Sequence, residues 1–312
     1  MARDSRVIMI GQHMANSPFN TTNALFKRFG PKRMIDTPIS ETGEVGMAVG
    51  AAMTGLRPIV EIPHIDFLPV CMDQIVNQAA KIEFMLGDQF KVPIVIHTEG
   101  GAGGAPAGGS GSAGPHHSQS LEALFTHIPG LVVVRPSNPR DAKGLMKSAI
   151  RSDKPVVFIG NKYLYSIKGP VPDGEYVIPL GEALVRREGR ALTLVAISQM
   201  VDRALIAAEE LSKMGVEVEI IDPRTLAPAD IKTMMTSVRK TGRLMFVHEA
   251  CERGGIGSEM TGLILKEAFS YLDSPIEILG ARNIPVPVSP VLERATIPQV
   301  EDIIKAVKGM VL

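Results

Sequence analysis

Short apolar runs alternate with amphipathic stretches along the whole chain, the pattern of a parallel sheet covered by crossover helices. In the first half the strand candidates are Val7–Ile10, Arg57–Ile62, Val92–His97, Leu131–Arg135 and Pro155–Ile159. Helical patterns fall between them at Val45–Thr54, Asp73–Leu86, Ser120–Thr126 and Asn138–Arg151. The last has Ser137 or Asn138 as N-cap and Pro139 in its first turn, where proline is tolerated. Gly169–Gly181 is rich in Pro and Gly and has no helical period, so it reads as a linker. A second alternating set follows: strands Leu192–Ile197, Val216–Ile221, Leu244–His248 and Ile276–Leu279, with helices Met200–Met214, Pro228–Thr241, Gly257–Tyr271 and Pro298–Val311. Gly215 and Gly242 each close a helical pattern just before a strand. The pattern predicts an α/β chain of two doubly wound domains, residues 1–168 and 186–312, with a linker over 169–185.

Composition agrees with that division. A chain of 312 residues exceeds a typical single domain, and 45% hydrophobic with 21% charged residues is ordinary globular usage. Lys+Arg and Asp+Glu balance at 33 each and no basic stripe stands out, which argues against nucleic-acid binding. Cys71 and Cys251 are too few and too far apart in sequence for a disulfide framework or a zinc site, and point to a reducing compartment. No apolar run approaches the roughly 20 residues of a membrane span. The expected location is cytoplasmic, or an organelle matrix if a transit peptide has been removed.

One segment breaks the regularity. Glu99–Pro115 is a low-complexity, glycine-dense run, too flexible for a strand or helix. Its formal G-x-G-x-x-G match, Gly109 to Gly114, is followed by Pro-His-His rather than a helix start, so a mobile loop beside an active site is the better reading. Three short stretches carry candidate chemistry. Asp36 to Glu44 places Glu41 and Glu44 at a helix start, where carboxylates anchor a ligand or simply complement the helix dipole. His116 and His117 follow the glycine run, as proton-transfer groups or as a polar cap. His64-Ile65-Asp66-Phe67 follows a strand, at the ligand-binding edge of a parallel sheet.

These stretches share an order with a known family. DTPISETG (36–43), AVGAAMTGLRPIVEI (48–62), DQIVNQAAK (73–81), HSQSLEA (117–123), DAKGL (141–145), SAIR (148–151) and KTGR (240–243) together resemble the beta subunits of thiamine-diphosphate-dependent 2-oxo acid dehydrogenases, in the transketolase-like superfamily. The resemblance covers essentially the whole chain. It implies a pyrimidine-binding domain followed by a transketolase C-terminal-like domain. It also implies roles: Glu41 on the aminopyrimidine nitrogen of the cofactor, Phe67 stacked on that ring, and His117 facing the substrate for proton transfer. His64 and His116 are further substrate-side candidates. Backbone carbonyls of Ile94, Ala149, Ser152 and Lys154 fall where some relatives hold a monovalent cation such as K+.

An absence completes the picture. The cofactor's diphosphate needs Mg2+, held in such enzymes by a GDG motif, and this sequence contains none. The resemblance therefore implies an alpha subunit that holds Mg2+ and the diphosphate, in an α2β2 heterotetramer, with a lipoyl-bearing acyltransferase core as acyl acceptor. The chain also departs from the family pattern. Its first strand has no amphipathic helix before it, Gly11-Gln12-His13 and Asn16-Ser17-Pro18-Phe19 replace the usual residues, and Glu44 stands at a usually apolar position. The loop before His117 is long, and His116 replaces Gln or Tyr. These changes lie on the expected active-site side and bear on which 2-oxo acid or acetoin-like ketone is the substrate. Other functions consistent with the residues are a split transketolase-like transferase and a non-catalytic assembly subunit.

Overall fold

The computed structural model describes residues 1–17, 19–103 and 112–311. Residues 104–111, most of the glycine-rich segment together with the start of its G-x-G-x-x-G match, lie outside the described residues, as does Pro18. The first half of the chain runs β1 (Val7–Gln12), α1 (Asn23–Phe29), β2 (Met34–Thr37), α2 (Glu41–Met53), β3 (Arg57–Ile62), α3 (Ile82–Met85), β4 (Val95–Gly100), α4 (Glu122–Thr126), β5 (Val132–Val134), α5 (Pro139–Arg151) and β6 (Val156–Asn161). The second half runs β7 (Leu184–Arg187), β8 (Leu192–Ala196), α6 (Met200–Ser212), β9 (Val218–Asp222), β10 (Thr225–Ala227), α7 (Ile231–Thr241), β11 (Leu244–Cys251), α8 (Ile256–Ala268), β12 (Glu277–Ala281), α9 (Pro290–Arg294) and α10 (Val300–Val311).

Two sheets result, in the orders β10-β5-β6-β4-β3-β1-β2 and β12-β11-β8-β9-β7. Within the first, every pairing except β10 with β5 is parallel; within the second, only the β7 edge is antiparallel to its neighbour β9. Central parallel strands are covered on both faces, which is why β1, β8 and β9 are buried throughout and mostly apolar. The helix ends follow the expected chemistry. Asn138 caps α5 by accepting from the Asp141 amide at 2.9 Å, Asp230 caps α7 from Thr233, and Gly242 ends α7 in the left-handed region at φ 68°.

Several elements differ from the expectation. The helix expected over 73–86 is a wide π turn, Gln74–Ala79, followed by the short α3. The Ala80 amide bonds back to Ile75, five residues away, and the extra residue lets Ala79, Ala80 and Ile82 all reach the core. The strand expected at Val92–His97 begins instead at Val95, because Pro93 has no N–H for a ladder. It runs on through Glu99-Gly100, which the composition assigned to the flexible run; those residues pair with Gly160 and Asn161 of β6. The helices expected from Ser120, Pro228 and Pro298 begin at Glu122, Ile231 and Val300.

The two halves are fastened through buried polar groups. β10 lies in the second half of the sequence yet pairs with β5 of the first sheet. Beside it, Arg135 Nη2 donates to Glu249 Oε1 at 2.6 Å, and both side chains are almost wholly buried. Asn161 and Gln199 also donate to Glu249, and the Ala102 amide reaches its Oε2 at 3.2 Å. Gly101, at φ 90°, lies so close that a Cβ there would overlap the Glu249 carboxylate. One apolar core continues across the division, from Ile62 and Phe125 to Phe246 and Met260.

Removing one member of a buried ion pair leaves an uncompensated charge, which commonly costs about 3–5 kcal/mol. Arg135→Met is therefore expected to lower the urea unfolding free energy by about that amount. The double variant Arg135→Met, Glu249→Gln is expected to recover part of the loss. A single variant within about 0.5 kcal/mol of wild type would contradict the clamp.

Candidate active site

The chemistry-bearing stretches converge on the carboxyl edge of the first sheet, where ligands bind in doubly wound folds. β1 delivers Gln12, β2 leads into the first turn of α2 with Glu41 and Glu44, and β3 is followed by a 3-10 turn, Ile65–Cys71, carrying Phe67. The glycine-rich segment after β4 returns at His117, and β6 is followed by Lys162 and a 3-10 turn, Tyr163–Ser166.

Glu41 is buried at the start of α2, and Gln12 Nε2 lies 3.4 Å from its Oε1. Its helix is tied to the Phe67 turn by Thr42, whose hydroxyl donates to the Val70 carbonyl at 2.9 Å. Glu44, one turn on, is almost wholly buried. Burial raises its pKa, although the Thr37 hydroxyl donates to one of its oxygens at 2.6 Å. Its other oxygen has no partner among the described residues.

Five rings form a cluster around the turn that packs on α2. His64 meets His117 edge-on with centroids 4.5 Å apart, Phe67 meets His117 at 5.5 Å, and Phe19 meets His64 at 5.5 Å. Tyr165 stacks on Phe19. Burial, with the neighbouring His117 and Lys162, pushes His64 down to about 3, so it is neutral at physiological pH, and its Nδ1 has no partner among the described residues. Asp66 Oδ1 accepts from the Gln119 amide at 3.2 Å and its side chain at 2.9 Å, joining the Phe67 turn to the His117 loop. Of the sequence candidates, the structure thus brings together His64, Phe67 and His117, with Glu41 on the adjoining helix. His116 is exposed and takes no part in these ring contacts among the described residues.

The four carbonyls suggested for a monovalent cation each accept a protein donor. Ile94 accepts from the Val156 amide, Ala149 from the Ser152 amide, Ser152 from Arg57 Nη2 at 2.6 Å, and Lys154 from the Ser152 hydroxyl at 3.3 Å. Of the four, only the Ser152 carbonyl meets a positive charge, that of Arg57. No group of three or more His, Cys, Asp or Glu placed to hold a metal is found among the described residues.

The fold and this edge place the chain among known proteins. Residues 1–168 match the family of the transketolase pyrimidine binding domain, and residues 181–303 match that of the transketolase C-terminal domain. The chain belongs to the transketolase family. This transketolase-type chain is 43% identical to the beta subunit of acetoin:2,6-dichlorophenolindophenol oxidoreductase of Bacillus subtilis, over 97% of its own length and 91% of the relative's. It is also 43% identical to a pyruvate dehydrogenase E1 component subunit beta of Rickettsia felis, over 99% and 93%. A mitochondrial pyruvate dehydrogenase E1 beta subunit of rice is 41% identical over 99% and 82%. Among solved structures, a split-gene transketolase described as an inactive beta4 tetramer superposes with a TM-score of 0.80 at 21% identity, covering 99% of this chain and 93% of that one, which speaks to fold alone.

The transketolase-type edge contains residues that the sequence did not single out. Under the ring cluster, His97 Nδ1 pairs with Glu61 Oε2 at 2.6 Å and its Nε2 faces Glu99 Oε1 at 3.4 Å, while the Tyr165 hydroxyl donates to Glu99. A histidine and a glutamate alternating at the end of an apolar strand, His97-Thr98-Glu99, were the available signal. Burial opposes a charge on His97, but the charge and hydrogen bond of Glu61, with Glu99, outweigh it and raise His97 to about 9. Burial raises Glu99 to about 7 despite His97 and Tyr165.

Both shifts have the same consequence for stability. The folded chain holds protons that the unfolded chain releases, between 4.5 and about 7 for Glu99 and between 6.5 and about 9 for His97. His97's contribution is therefore complete below pH 6.5 and is lost as pH rises through about 9. The urea unfolding free energy is expected to fall across that window, and His97→Gln is expected to flatten the fall. An equal slope in both proteins would contradict the assignment.

Proposed function

We propose that the chain is the beta subunit of a thiamine-diphosphate-dependent 2-oxo acid or acetoin dehydrogenase component, an oxidoreductase that passes an acyl group to lipoyl. The observation that carries this reading is the buried Glu41 in the first turn of α2, beside the edge-on cluster of His64, Phe67 and His117. The residues fit one half of the cofactor. Glu41 offers a buried carboxylate to a ring nitrogen, Phe67 a flat apolar face, and His64 an orphaned ring nitrogen nearby. The lack of a GDG motif in the sequence supports an alpha subunit as the holder of Mg2+ and the diphosphate, with an α2β2 assembly as the simplest form. The setting is cytoplasmic, or the matrix of an organelle; no described helix is long and apolar enough to cross a membrane.

When bound, thiamine diphosphate supplies a nucleophilic carbon for addition to the substrate carbonyl. This chain's residues prepare and use the site. Gln12 steers the Glu41 carboxylate, whose fixed charge biases the protonation of the ring it binds. His117 gives and takes a proton at the substrate's carbonyl oxygen, and His64 packs its edge without competing for that proton, because it stays neutral. His116, exposed on the same loop, lines the approach to the site.

Glu41→Gln keeps the shape and removes the charge. In the assembled enzyme it is expected to leave folding intact and to slow hydrogen–deuterium exchange at the cofactor's thiazolium carbon by roughly a hundredfold. Exchange as fast as in wild type would remove Glu41 from this role.

A further inference from the structure

The ring cluster has one charged neighbour with no part in the chemistry assigned so far. Lys162, directly after β6, is 3% exposed. Its Nζ donates to the His117 carbonyl and lies 3.5 Å from the Ser118 hydroxyl. A buried ammonium is costly unless it is paired, yet no carboxylate lies within ion-pair distance of it among the described residues. Burial lowers its pKa, against the more distant charges of Asp66, Glu249, Glu293 and Glu99. The charge is thus spent on a loop backbone rather than on a salt bridge.

That loop needs an anchor. It re-enters the described structure at Ser112, whose hydroxyl donates to the Pro287 carbonyl, and is next tied down at Gln119 by Asp66 and by the Gly101 amide. Between those points the His117 amide bonds only within the loop, to Gly114. Among the described residues, Lys162 makes the only hydrogen bonds from another element to residues 116–118.

We propose that Lys162 is a positioning residue: its ammonium pins the backbone of His117 and Ser118, so that the His117 ring is held edge-on to His64 and Phe67 where substrate arrives. The role rests on the assignment of His117 as the substrate-facing group. The same charge adds to burial and to His117 in keeping His64 neutral.

The test compares Lys162→Met, which keeps the stem and removes the donor, with Lys162→Arg, which restores charge and donors. Amide hydrogen exchange is read on the full chain, and kcat and KM are read on the assembled enzyme. Lys162→Met is expected to speed exchange over residues 114–119 by about tenfold, leaving the rest of the chain and the melting temperature unchanged. It is expected to lower kcat by roughly a hundredfold, as for a misplaced catalytic group, with KM within about threefold of wild type. Lys162→Arg recovers part of both. Unchanged exchange over 114–119 overturns the proposal, and so does a rise spread over both domains, which would mark a merely structural lysine. If Lys162→Met does not fold, Lys162→Leu, which also lacks a donor, carries the same comparison. Because exchange needs no cofactor, a wild-type enzyme inactive on 2-oxo acids, with local exchange still rising in Lys162→Met, would sink the functional reading and leave the pinning intact.

Discussion

The carboxylate of Glu249 fastens the two domains to each other. It stands on β11 of the second sheet but is satisfied almost entirely by the first: Arg135 after β5, Asn161 at the end of β6, and the Ala102 amide at the stem of the glycine-rich segment. Gln199, from its own domain, closes the set and also donates to the Ala102 carbonyl at 3.0 Å. A buried carboxylate tolerates few arrangements, because each lost donor leaves a desolvated charge. The two domains are therefore held in one relative placement, and the loop that leads to His117 starts from a fixed point.

From that point the site follows by geometry. A cavity of about 400 Å³ opens between the domains, lined by Ser118, Gln119, Glu249, Cys251 and Arg282, on the far side of the loop that carries His117. The loop is thus framed by the ring cluster on one side and by the domain junction on the other. Burial, then the neighbouring His117 and Lys162, keeps the His64 ring uncharged in a site where a second positive charge would repel Lys162. Glu41 sits in the first turn of α2.

Much of this was legible in the sequence, for stated reasons. Buried parallel strands read as continuous apolar runs, so β1, β3, β6, β8 and β11 stood out, and the caps of α5 and α7 carry the residues that capping demands. The roles proposed for Glu41, Phe67 and His117 come from family motifs rather than from periodicity. What stayed hidden depends on tertiary contact. The π turn at Gln74–Ala79 has the composition of an ordinary helix, and α1 with β2 has too weak a pattern to separate from loop. β10 is three residues long and exists only because β5 offers it an edge. Lys162 reads as a surface lysine until the fold closes over it. Glu99 looked like the start of a flexible run until Gly160, opposite it in the sheet, made room for its side chain.

We infer that the chain carries only the pyrimidine half of a cofactor site. Its sheet edge offers Glu41 and Phe67 but, among the described residues, no cluster suited to a divalent ion, and a diphosphate binds tightly only where that ion and charged donors meet it. The most direct measurement is calorimetric titration of thiamine diphosphate with Mg2+, first into the chain alone and then into the chain co-purified with its alpha subunit. No measurable binding to the lone chain is expected, and tight, Mg2+-dependent binding to the pair. Micromolar, Mg2+-dependent binding to the lone chain would contradict that inference.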